Sequence, residues 1–100
     1  MPAFKKMLMI SYNEAVDADV MEILRKCSAD TYTKFVGVFG RGIASGTHLG
    51  NDIWPGKNNA LFVGCDEKTA KQIVMYIKEL RKALGSEGVK AFVLPVEEVT

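Results

Sequence analysis

The chain of 100 residues is poor in the features that mark a specialised class. It has two cysteines, three prolines, one tryptophan and one histidine, and its thirteen basic residues exceed the twelve acidic ones by a formal charge of only +1. Cys27 and Cys65 stand apart, without CxxC spacing or a histidine partner in a motif. That argues against a disulfide framework and a zinc site, and leaves free, buried thiols as the expectation. A near-neutral balance lacks the concentrated positive field that nucleic-acid or anionic-membrane binding requires. After Lys5 and Lys6 only four apolar residues precede Ser11, too few for a signal segment and far short of a membrane span, so a cytoplasmic protein is expected. What is present is a globular composition, 48% hydrophobic and 25% charged, consistent with one domain over residues 1–100. A core of that size leaves much surface in water, so self-association would add useful burial.

Periodicity divides the chain into six elements. Lys6 to Tyr12 reads as a strand. From Asp17 to Ala29 the period changes, with Val20, Ile23, Leu24 and Cys27 on one helical face. Asp19 and Glu22 fit a capping box, and Asp17 is a competing cap. Phe35 to Phe39 and Ala60 to Cys65 are further strands. A second helix starts near Glu67, carries Ala70, Ile73, Val74, Ile77, Leu80 and Leu84 inward, and ends at Gly85. Lys90 to Val96 is the last strand. The order β-α-β-β-α-β predicts an α+β, ferredoxin-like fold: a four-stranded antiparallel sheet with two helices on one face and the last strand, with Pro95, at an edge.

Three runs, Met7-Leu8-Met9-Ile10, Leu61-Phe62-Val63 and Phe92-Val93-Leu94, do not alternate as strands with one wet face do. Both faces of the sheet therefore call for burial, and the helices cover one. Another copy of the same chain is the simplest cover for the other.

A loop of about eighteen residues, 41–58, separates the second and third strands, and loops of this length in a compact domain are usually functional or disordered. Gly40 and Gly42 allow backbone amides to turn inward as an anion nest, while Arg41 presents a planar fork to phosphate or carboxylate oxygens. Gly88 and Lys90 form a second glycine-and-cation cluster. Together they favour nucleotide binding over plain loop flexibility. Trp54 either folds back as an anchor for the loop or forms a contact surface for a partner. His48 is a metal ligand only if loops of several subunits converge, and no metal is expected.

The segment Ser86 to Val99, with Gly88, Lys90 and Pro95-Val96-Glu97-Glu98, resembles the closing strand of the PII nitrogen-regulatory signalling proteins. Phe39-Gly40-Arg41 is similar to the start of that family's long partner-contacting T-loop, and Lys57 to the lysine at its end. The resemblance implies a homotrimer, an adenine nucleotide (AMP, ADP or ATP) at subunit clefts near Gly40, Arg41, Gly88 and Lys90, and Lys57 as an effector residue at the loop base. It also implies a non-enzymatic regulator of a partner such as a membrane transporter. The chain departs from the pattern in places. No arginine follows Arg81, Glu87 lies in the second glycine turn, the loop has no tyrosine, and Gly42 stands where a glutamine is usual. These departures point to a divergent, PII-like member with a changed ligand or partner. Two other readings fit the same fold. One is a metal-binding or metal-tolerance trimer using His48, Cys27 and Cys65. The other is an acylphosphatase-like hydrolase with Arg41 on phosphate and Asn58 or Asn59 orienting water.

Overall fold

In a computed structural model that describes residues 4–40, 57–84 and 88–100, strand β1 (Lys6–Asn13) runs into a single 3-10 turn, Glu14–Val16, and then helix α1 (Asp17–Lys26). Strands β2 (Tyr32–Val38) and β3 (Asn58–Cys65), helix α2 (Glu67–Leu84) and strand β4 (Val89–Pro95) follow. The strands form one antiparallel sheet in the order β2-β3-β1-β4, which places β1 and β3 centrally and β4 at an edge, as expected. Pro95 therefore withholds its amide from no inner ladder.

Register assigns the faces. Leu8, Ile10 and Tyr12 of β1 point toward the helices beside Leu61 and Val63 of β3 and are buried, joined by Val20, Ile23 and Leu24 of α1 and Ala70, Ile73 and Ile77 of α2. Helical spacing selected those residues correctly, because a helix lying on a sheet buries one stripe of its surface. Leu84, at the end of the same stripe, is exposed.

The other sheet face carries the remaining half of the apolar runs. Across it, Thr33, Phe62, Met9 and Phe92 stand in one row, and Met7 pairs with Leu94 in the next. Phe62, Phe92 and Leu94 are 39–46% exposed, and Phe35 meets Phe62 edge to face at 5.5 Å. Among the described residues no helix lies over this face. A contiguous exposed apolar patch of this kind often marks a site of association.

Two local expectations are corrected. Neither Asp19 nor Asp17 caps α1: the position before the helix is Val16, with no side-chain cap. The 3-10 turn intervenes, and its own cap is Asn13, whose Oδ1 accepts the Ala15 N–H at 2.9 Å. Asp17 is thereby released to bind tertiary partners, and Glu22 pairs with Arg25. The second correction concerns β2, which starts at Tyr32 rather than Phe35 and ends before Phe39. Tyr-Thr-Lys has no apolar run to announce a strand, and an edge strand needs none.

Candidate functional site

The antiparallel order brings four strand ends to the same edge of the sheet: the close of β1 and β2 and the opening of β3 and β4. Here lie Gly40, Lys57 and Gly88. Lys57 and Gly88 sit on either side of the end of β1, two strand spacings apart, or about 10 Å. Two consecutive amides of β1 and its turn tie them together. Asn13 N–H donates to the Gly88 carbonyl at 3.0 Å, and Glu14 N–H donates to the Lys57 carbonyl at 3.1 Å. The base of the long loop and the second glycine turn are thus fastened to one dipeptide within a single chain. Sequence spacing placed them in separate clusters.

Gly40 lies beside the opening of β3. A Cβ there would come within 2.7 Å of Asn58 Nδ2, so the absence of a side chain lets the two ends of the long loop approach. The Gly88 turn is braced from the far side by Arg81, whose Nη1 donates to the Val89 carbonyl at 2.7 Å. Lys90 pairs with Ser11 and projects from the open sheet face, at the end of the row that holds Phe35 and Ala60. Among the described residues no carboxylate pairs with Lys57 or Lys90. Both are exposed, leaving two ammonium groups available to an anion at this edge. Arg41 and Trp54, the other residues singled out from the sequence, lie outside the described residues, as do His48 and Gly42.

Behind this edge is a polar network that sequence reasoning did not find. One carboxylate oxygen of Asp17, Oδ1, accepts from the Tyr12 hydroxyl at 2.6 Å and from Asn59 Nδ2 at 3.3 Å, and pairs with Lys34 Nζ at 2.6 Å. Asn59 is 4% exposed, and its Oδ1 accepts the Gly37 N–H at 3.3 Å. Gly37 has φ +73° and lies where the β2–β3 register shifts between Phe35 and Val38, a β-bulge that a residue with a side chain would strain. Phe39, just beyond, is 88% exposed, an aromatic ring presented beside Gly40. Asn59 is buried and gives both ends of its carboxamide to this network, so it is not presented to solvent as a residue that orients a hydrolytic water would be.

The Lys34 ammonium, and after it the Tyr12 hydroxyl, hold the Asp17 carboxyl below its ordinary range. Burial first, and the Asp17 carboxylate second, push the Tyr12 phenol far above its own. A carboxyl whose pKa is depressed by folding contributes stability above its unfolded value, and that contribution is lost as pH falls through the folded value. Asp17→Asn is therefore expected to lower the urea midpoint at pH 7, with the gap to the parent protein closing below about pH 4. A gap independent of pH would show that the Asp17 charge is not what stabilises the network. Both cysteines are buried, and burial raises each thiol, so neither is poised as a nucleophile.

The chain matches the family model of nitrogen regulatory protein P-II over residues 5–100. No match was found among curated protein sequences. Solved structures share the fold. CPII of Thiomonas intermedia K12, a nitrogen regulatory PII-like protein bound to ADP, AMP and bicarbonate, superposes with a TM-score of 0.71 at 16% identity, covering 92% of this chain and 85% of that one. Its apo form gives 0.70 at 14% identity, with 92% and 88% covered. A protein of Thermus thermophilus described as PII-like gives 0.66 at 22% identity, with 92% and 85% covered.

Proposed function

This chain belongs to the nitrogen regulatory protein P-II family, and from that premise we propose that it is a trimeric regulator that binds an adenine nucleotide at the edge where Gly40, Lys57, Gly88 and Lys90 gather. The observation that carries this reading is the pair of adjacent amides, Asn13 and Glu14, that hold the Gly88 turn and the Lys57 end of the loop in one place. Two exposed ammonium groups, backbone amides at glycine-bearing turns and the exposed ring of Phe39 supply what a nucleotide needs: charge for phosphate and an apolar surface for a base. Arg41 adds a fork to the same anion, and the neighbouring subunit completes the pocket.

The nucleotides and bicarbonate bound by CPII support this ligand class; in this reading Lys57, at the loop base, takes a small carboxylate-like anion as a second ligand. Ligand contacts at its base change the fit of the loop 41–58 to a partner protein. Trp54 contributes to that contact surface. A membrane transporter is the partner class we favour. In this reading the regulator acts from the cytoplasm on that partner without catalysing a reaction; no helix among the described residues is long and apolar enough to cross a membrane.

Calorimetric titration with AMP, ADP and ATP tests the reading, with and without bicarbonate. At least one nucleotide is expected to bind, and Lys90→Ala to weaken it by about ten- to a hundredfold, the worth of a hydrogen bond to a charged group. Absence of heat with all three would end the proposal.

A further inference from the structure

The geometry points to Asn59 as the positioning residue of this edge: a buried carboxamide that touches no ligand yet sets the direction in which the chain leaves β2 toward Gly40. The inference rests on the nucleotide-binding reading above. Its physical basis is the way the Asn59 side chain is used at both ends. Nδ2 is taken by Asp17 Oδ1 at 3.3 Å and Oδ1 by the Gly37 amide at 3.3 Å. A carboxamide held at its donor end has a fixed orientation, so its acceptor is delivered to one place. That place is the amide of the one glycine in the β2 bulge with positive φ.

The bulge is where β2 leaves its ladder, resuming only at the Val38 and Asn58 pair before Gly40. The Lys57 side chain passes over it, since a Cβ on Gly37 would lie 3.5 Å from Lys57 Cδ. Asp17 is in turn fixed by Tyr12 from β1 and Lys34 from β2. Three strands and the start of α1 thus converge on one amide group, and through Gly37 that group sets how Gly40 and Lys57 face an anion. Removing it leaves the part-buried Gly37 N–H without its acceptor and lets the bulge shift. A displacement of the order of an ångström is enough to spoil several convergent contacts.

Asn59→Leu, close in size and without polar atoms, is expected to stay folded and to bind ADP or AMP about tenfold more weakly by calorimetry. Leu24→Ala, which destabilises the core away from this edge, serves as the control and is expected to leave affinity unchanged while the protein remains folded. Amide exchange of isotope-labelled protein gives a readout independent of ligand: the Gly37 N–H should lose protection in Asn59→Leu and keep it relative to its neighbours in the control.

Asn59→Asp supplies a signature that a merely structural role lacks. Protonated, the introduced carboxyl imitates the carboxamide, its hydroxyl donating to Asp17 Oδ1 and its carbonyl accepting from Gly37. Ionised, it faces the Asp17 carboxylate. The titratable groups around it are Asp17 of α1, Lys34 and Tyr32 of β2, and Tyr12 of β1. Burial and Asp17 raise its pKa, Lys34 opposes them, and the ammonium is already committed to Asp17. A raised pKa preserves the working geometry below it, so the affinity of Asn59→Asp relative to the parent at the same pH should fall as pH rises from about 5 to about 8.

Parent protein that binds nucleotide, with Asn59→Leu binding equally well and the Asn59→Asp ratio flat with pH, would overturn the positioning role alone. Parent protein that binds no nucleotide would overturn the functional reading, and the role of Asn59 at the bulge would then stand or fall on the Gly37 exchange rate.

Discussion

Phe62→Glu is expected to convert the proposed trimer into folded monomers of 11.0 kDa, read by light scattering at micromolar concentration. Phe62 occupies the second position of the open-face row, between Thr33 and Met9, and it packs edge to face on Phe35. In the single chain it is 39% exposed, so a glutamate there remains solvated and costs the monomer little beyond the strand preference for aromatic residues, at most about 1 kcal/mol. Packed against a second sheet, the same carboxylate would be desolvated in an apolar layer without a cation, which costs several kcal/mol per ion, and threefold symmetry would repeat it at every subunit. The asymmetry between the two states makes the outcome sharp. Retention of the parent mass by folded Phe62→Glu would show that the open face is not the subunit interface, and the proposed ligand pocket would lose its second wall.

The second large effect is on the opposite face of the same sheet. Ile10→Ala should lower stability by about 2–5 kcal/mol, the cost of the lost methylenes and the cavity they leave in a core that collapses only partly. Ile10 is fully buried in β1, flanked in register by Leu61 and Ala91 and covered by the helices. For a domain of this length the loss is a large share of a total of about 5–15 kcal/mol and lowers Tm by about 4–8 °C per kcal/mol. Met9→Ala, one residue earlier and on the open face, provides the comparison. If that face is an interface, Met9→Ala should lower apparent stability chiefly at low protein concentration, because assembly contributes by mass action. Ile10→Ala should do so at every concentration. Equal, concentration-independent losses would mean that the two faces are not distinguished by assembly.

Much of the fold was legible because it is written in local periodicity. The stripe Val20, Ile23, Leu24 and the stripe Ala70, Ile73, Ile77 could lie only on helices facing a core, and both do. The non-alternating strands signalled two apolar faces, and the exposed half is visible as Phe35, Phe62, Phe92 and Leu94. Glycines and lysines at 40, 57, 88 and 90 were identifiable from residue type and family resemblance. Their supports were not. Asn13 meets Gly88 across 75 positions and Asn59 meets Asp17 across 42, and no window of neighbouring residues records either contact. Asp17, like Asp19, reads as a candidate helix cap because a short acidic residue at the start of a helix is a preferred one. The 3-10 turn that displaces it from that role begins where Asn13 and Glu14 bond to Gly88 and Lys57.

By itself the sequence determined which elements form and which of their residues turn inward, since both follow from the 3.6- and 2-residue repeats and from the avoidance of water by apolar surface. The tertiary structure alone decided that the end of β1 should hold the loop base and the glycine turn together, and that one buried amide should govern the β2 bulge. Hydrogen bonds are directional and short in range, so their partners are chosen only when strand order and register have brought distant groups within about 3 Å of each other.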